Sequence, residues 1–121
     1  MLLSEPQVKI WLHTQPTDMR KSYNGLIALV KNQLEKDPLS GQLFVFINRK
    51  QTQMKVLYFD RSGYCIWGKR LEQGQFHFNA RDAIKQVLSW TELQFILEGI
   101  KNENIQHYKR YYHPKQDGNM V

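Results

Sequence analysis

A chain of 121 residues, 41% hydrophobic and 12% aromatic, has the length of about one domain and enough apolar surface to fold, which excludes a disordered protein. A single cysteine, Cys65, excludes an internal disulfide framework, no stretch reaches the roughly 18 to 20 apolar residues of a membrane-spanning helix, and the start from Met1 to Glu5 lacks an export signal, so a cytoplasmic protein without a membrane partner is expected. The formal charge of +6 is unevenly placed: Arg49, Lys50, Lys55, Arg61, Lys69 and Arg70 against Asp60 leave +5 between Arg49 and Arg70, a field that draws in polyanions.

Val8 to Leu12 alternates and is β-branched, which predicts a short strand. Thr17 or Asp18 then reads as a helix cap, because a short side-chain oxygen can accept from the free amides of a first turn. Met19, Tyr23, Leu26, Ile27, Val30 and Leu34 recur at steps of three and four, the apolar stripe of a helix running to about Glu35. Gly25 within it costs about 1 kcal/mol relative to Ala and marks a close packing contact. Asp37-Pro38-Leu39-Ser40-Gly41 ends the helix and turns the chain.

Leu43 to Ile47, Met54 to Phe59 and Tyr64 to Trp67 follow, separated by Asn48 to Gln51 and Asp60 to Gly63, the pattern of an antiparallel meander. The first of these runs is apolar on both parities, as a central strand covered on both faces should be. Gln75 to Phe78 predicts another strand and Gln86 to Leu88 a further one. Ser89-Trp90-Thr91-Glu92 fits a capping box, Leu93, Ile96, Leu97 and Ile100 give the next helix an apolar face, and Gly99 suits a left-handed stop. The predicted fold class is α+β: a small antiparallel β-meander sheet packed with an N-terminal amphipathic helix and a shorter C-terminal helix. One domain is expected over residues 1–100, with a flexible polar tail over 101–121.

The residues of chemistry do not converge in the sequence. His13, His77, His107 and His113 are scattered without metal-ligand spacing, and Cys65 sits in a strand with no histidine near it. Asp18, Asp37, Asp60 and Glu72, the carboxylates a two-metal nuclease would need, have ordinary uses as a cap, two turns and a surface pair. Gly63, Gly68 and Gly74 form no phosphate loop. The expectation is a protein that binds and does not catalyse, with no cofactor and no metal.

What remains is basic residues interleaved with aromatics. Arg49, Lys50, Lys55, Arg61, Lys69 and Arg70, joined by Arg20 and Lys21 upstream, are the candidate nucleic-acid contacts. Parity limits this: Lys55 shares a face with Leu57 and Phe59, while Lys69 and Arg70 point opposite ways. No single sheet face collects the charge, so the turn from Asn48 to Gln51 and the strand ends are the expected contact points.

Six ordered segments carry a family resemblance: Thr17-Asp18-Met19-Arg20-Lys21, Asp37-Pro38-Leu39-Ser40-Gly41, Leu43-Phe44-Val45-Phe46, Asn48-Arg49-Lys50, Lys55-Val56-Leu57-Tyr58-Phe59-Asp60, and Lys69-Arg70-Leu71-Glu72-Gln73-Gly74. Together with Leu97-Glu98-Gly99-Ile100, the chain resembles the TnpB accessory proteins of the insertion sequence sixty-six family over about residues 6 to 101. That resemblance implies a small protein needed for transposition; taken with the basic segment, the expected partners are DNA, the transposase and other proteins of the same element. A carboxylate-triad transposase encoded in a separate frame performs strand transfer. The family carries over no functional residues, so the contacts named above rest on charge and spacing. The chain departs from the family pattern at Asn79 to Gln86.

Overall fold

The computed structural model describes residues 8–99. Five strands and two helices follow in the order β1 (Ile10–His13), α1 (Tyr23–Asn32), β2 (Leu43–Ile47), β3 (Gln53–Asp60), β4 (Gly63–Arg70), β5 (Lys85–Leu88) and α2 (Trp90–Glu98). The strands make one sheet in the order β4-β3-β2-β1-β5. β2 lies at its centre, and all five of its residues are buried, as the double apolar parity predicted.

Each face of the sheet is covered by one helix. On one face Phe44, Phe46 and Leu57 pack with Leu26, Val30 and Leu34 of α1 and the turn after it. On the other, Ile10, Leu12, Leu43, Val45, Val56 and Leu88 pack with Leu93 and Ile96 of α2. This is an α+β fold with a mostly antiparallel sheet.

One strand pair departs from the expected antiparallel meander. β1 runs parallel to β2, with Ile10 opposite Leu43 and Leu12 opposite Val45. The chain leaves β1, crosses through α1 and re-enters the sheet in the same direction, the connection a parallel pair requires. The β2-β3-β4 meander is antiparallel as expected, and β5 pairs antiparallel with the other edge of β1.

The start of the first helix is also corrected. Neither Thr17 nor Asp18 caps it; α1 begins at Tyr23, with Ser22 in the cap position and no side-chain cap bond. Thr17 is instead drawn into the sheet's end, its N–H donating to the Ile47 carbonyl at 2.9 Å. At its other end the helix closes as a left-handed stop: Glu35 has φ 55°, and the Lys36 N–H reaches back to the Val30 carbonyl at 3.0 Å.

Gln75 to Phe78, expected as a strand, is irregular. Phe76 is fully buried, but its N–H and C=O are taken by the carbonyl and side-chain amide of Gln51 and by no strand. β5 and α2 match the sequence reading: the Ser89 hydroxyl accepts from the Glu92 N–H at 3.0 Å, the Glu92 carboxylate accepts from the Ser89 N–H at 2.8 Å, and Gly99 stops the helix at φ 76°. The tail expected over 101–121 lies outside the described residues.

Candidate nucleic-acid interface

The topology gives the sheet two unlike ends. Because β1 and β2 are parallel and β3 and β4 alternate, the C-terminal ends of β1, β2 and β4 meet the start of β3 at one end. That end carries Arg20, Lys21, Arg49, Lys50, Lys55, Lys69 and Arg70. Arg61, the eighth expected contact, sits in the β3-β4 turn at the opposite end, about 25 Å away at the ordinary strand rise. Arg61 is therefore not brought together with the others.

The turn bearing Arg49 and Lys50 is braced on every side. The Asn48 side-chain oxygen accepts from the N–H of Thr52 at 2.9 Å and of Gln53 at 3.0 Å, and its amide donates to the Thr52 hydroxyl at 3.3 Å. Gln51 takes the left-handed conformation at φ 60° and is tied to Phe76 through both its backbone and its side chain. The Gln75 amide donates to the Lys50 carbonyl at 2.8 Å. Phe76, locked in the core, thus anchors a loop that grips the turn. Arg49 and Lys50 project from it exposed.

A second wall is formed by Thr17 to Lys21. His13 is buried, and its ring nitrogens lie 3.2 Å from the Thr17 hydroxyl and 3.0 Å from the Gln33 side-chain oxygen. Burial holds its pKa below the ordinary histidine value, partly offset by the Gln33 bond, so at neutral pH the ring is an uncharged brace. Lys55 extends from the sheet and donates to the carbonyls of Met19 at 2.9 Å and Lys21 at 2.7 Å. Lys21 in turn runs over Gly25: a Cβ there would lie 3.1 Å from the Lys21 Cβ and Cγ, so the glycine leaves room for the lysine stem. This is the close contact the helical glycine signalled.

Between the walls lies an open groove of about 610 Å³, lined by Pro16 to Met19 and by Asn48, Arg49, Lys50, Thr52 and Gln53. Within it Asp18 is engaged by Arg20, whose guanidinium makes a 2.6 Å ion pair. The side-chain and backbone donors of Arg20 hold the Asp18 pKa down to about 2, so this carboxylate and its arginine form a local neutral pair at physiological pH.

The basic residues divide by what they touch. Lys55 is committed to two carbonyls, and Lys69 donates to the Leu97 carbonyl at 2.9 Å, where α2 leaves a carbonyl unpaired. Arg70 makes a 3.5 Å pair with Glu72 in which both side chains stay mostly in solvent, an arrangement worth little. Among the described residues, Lys21, Arg49 and Lys50 make no side-chain hydrogen bond or ion pair. Sequence reading found these three and missed what positions them, since Asn48, Gln51, Gln75 and His13 carry no charge and act through long-range bonds.

Among the described residues no three His, Cys, Asp or Glu side chains gather as a metal site. Asp18 and Asp60 stand at opposite ends of the sheet. No described helix is long and apolar enough to cross a membrane.

The family model of the IS66 Orf2 like protein matches residues 8–107, a span that contains both walls of the groove. Two relatives come from Sinorhizobium fredii. The protein named uncharacterized protein y4hO is 36% identical over 100 residues, covering 83% of this chain and 87% of its own. Uncharacterized protein y4jC is 41% identical over 71 residues, 59% of this chain and 61% of its own. No solved structure matches the chain.

Proposed function

Because the chain belongs to the IS66 Orf2-like family, an accessory family of insertion-sequence transposition, we propose that it acts without catalysis by binding DNA, or a transposase already on DNA, through the basic end of its sheet. The observation that carries this reading is that Arg49 and Lys50 stand exposed, with no side-chain hydrogen bond or ion pair among the described residues, on one braced wall of a groove whose other wall is followed by exposed Lys21. A turn whose backbone is already braced can present its cations to phosphate oxygens without the cost of ordering the turn. Lys69 and Arg70 lie at the same end and add to its field, Arg20 is neutralised by Asp18, Lys55 acts by holding the Thr17–Lys21 wall, and Arg61 lies outside it. A gel-shift titration of the element's terminal duplex tests this: Arg49→Ala with Lys50→Ala should lower affinity about tenfold or more near 0.1 M salt, a loss of about 1.4 kcal/mol. Unaltered affinity in that variant removes the proposal.

A second reading is supported by one feature on the other face. Leu43, Val56, Tyr58, Trp67, Trp90, Leu93 and Leu97 line an apolar cleft of about 240 Å³ between the sheet and α2, with Trp67 41% exposed beside it. A protein-interaction module would use such a cleft to dock the transposase, its basic groove playing no part. Capture of the transposase that survives nuclease treatment and the Arg49 and Lys50 substitutions, but not Trp67→Ala, favours this reading over the first.

A further inference from the structure

We infer that β4 is a dimerisation edge: two copies of the chain pair their β4 strands antiparallel about a twofold axis at Trp67, so that two sheets become one. Nothing in this pairing depends on DNA. The Leu71 N–H donates to the Thr52 carbonyl at 2.8 Å, and this continues the ladder in which Lys69 faces Met54 and Trp67 faces Val56. Odd-numbered residues of β4 therefore bond to β3, while the N–H and C=O groups of Tyr64, Ile66, Gly68 and Arg70 point away from it. Among the described residues β4 ends the sheet. It is eight residues long and exposed from Trp67 to Arg70, and a long edge of this kind is a template for another strand.

The opposite edge is guarded. β5 has four residues, the Arg81 guanidinium donates to its Val87 carbonyl at 3.0 Å, and the Arg81 N–H is held by the Gln86 side chain. β4 keeps its charges, Lys69 and Arg70, at one end, and Gly63 to Gly68 carry neither charge nor proline.

Self-complementarity selects a second copy as the occupant. The four outward residues are symmetric about Trp67, so an antiparallel copy sets Tyr64 against the partner's Arg70 and Ile66 against the partner's Gly68. Every outward group then meets an outward group, with about eight hydrogen bonds in all. Moving the axis to Ile66 would leave Arg70 opposite Ser62 in the turn. With the axis at Trp67, Lys69 lies opposite the partner's Cys65 and about 13 Å along the strand from the partner's Lys69, beyond the Debye length at physiological salt. A parallel copy would instead set lysine beside lysine, which is destabilising. Trp67, 41% exposed in the single chain, faces its own copy as a close aromatic pair, and Tyr64 lies beside a guanidinium.

Sedimentation equilibrium of the full chain between about 1 and 100 µM should show a dimer. Gly68→Pro removes an outward N–H and blocks the edge without taking a bond from β3, and a Cβ at this position meets only the Met54 carbonyl at 3.6 Å, an ordinary contact. It should weaken the dimer at least about tenfold. Cys65→Ser combined with Trp67→Cys moves the one cysteine onto the axis, where paired Cα atoms lie about 4.5 Å apart, within disulfide reach. Oxidation should link two chains in that variant and not through Cys65 in the parent, and this result decides the matter if Gly68→Pro does not fold. A chain monomeric at the upper concentration, a dimer that Gly68→Pro leaves equally tight, or linkage through Cys65 in preference to position 67 overturns the inference. So does a monomer whose Ile66 and Gly68 amides exchange slowly, because the rest of the chain would then cover the edge.

Discussion

The two ends of the sheet are built from the same strands and end up chemically unlike. At one, the Asn48–Gln51 turn is gripped by Phe76, Gln75 and its own Asn48 side chain, and it faces a second wall that His13 and Lys55 hold in place. At the other, a two-residue turn carries Arg61 at φ 60°, and the start of α2 is closed by the local Ser89–Glu92 box. The Arg49 turn is tied across 25 residues of sequence by Gln51 and Gln75, whereas the box that closes the start of α2 joins residues three apart. The lesson is that charge alone does not mark an interface; Arg61 and Arg49 are both exposed, and of the two only Arg49 lines a groove, together with Lys50.

The comparison can be broken most strongly at its anchor. Phe76 is fully buried, so Phe76→Ala should destabilise the fold by about 3 to 5 kcal/mol, read as a lower urea midpoint, and should loosen the Asn48–Gln51 turn with it. Phe59→Ala, toward the far end, removes a half-buried ring from its 5.2 Å contact with Tyr64 and should cost clearly less. Equal costs would deny the anchoring role.

Lys55→Met keeps the apolar stem and deletes the two bonds to Met19 and Lys21, for a stability loss of about 2 kcal/mol by denaturant titration. On the proposed reading Lys55 acts by positioning the wall, so DNA affinity should fall with the salt slope unchanged. A slope reduced by about 1 would make it a direct contact. Ser89→Ala, at the far end, should cost about 1 kcal/mol and leave DNA affinity alone.

The smallest effect is a pH dependence. The folded state holds the His13 pKa below its ordinary 6.5, so the unfolded chain takes up a proton at a pH where the native ring does not. Stability should therefore fall as pH drops below 6.5 and level off below the native pKa. His13→Gln should flatten that dependence relative to the unsubstituted protein in denaturant midpoints measured between pH 7 and 5.

Much of this architecture is legible in the sequence wherever its cause is local. The double apolar parity of Leu43 to Ile47 announces a strand covered on both faces, and Ser89, Glu92 and Gly99 mark both limits of α2. The misreadings share a different cause. Thr17 and Asp18 have the chemistry of a helix cap, yet their side chains are taken by His13 and by Arg20. Phe76 and Phe78 alternate as a strand would, but the bonding partner of Phe76 is the side chain and carbonyl of Gln51, 25 residues away. The parallel direction of β1 follows from the α1 crossover and leaves no mark on either strand. For the site, charge and parity pointed to turns and strand ends. They could not separate Lys55 and Lys69, which hold carbonyls, from Arg49 and Lys50, whose side chains make no bond among the described residues.

The most direct measurement is the salt dependence of duplex binding for three proteins side by side: the unsubstituted chain, Arg49→Ala with Lys50→Ala, and Arg61→Ala. The account predicts a slope smaller by about 2 in the double variant and an unchanged slope and affinity, within about twofold, for Arg61→Ala. Equal losses from the two ends would contradict it, because binding would then follow net charge and owe nothing to the braced groove.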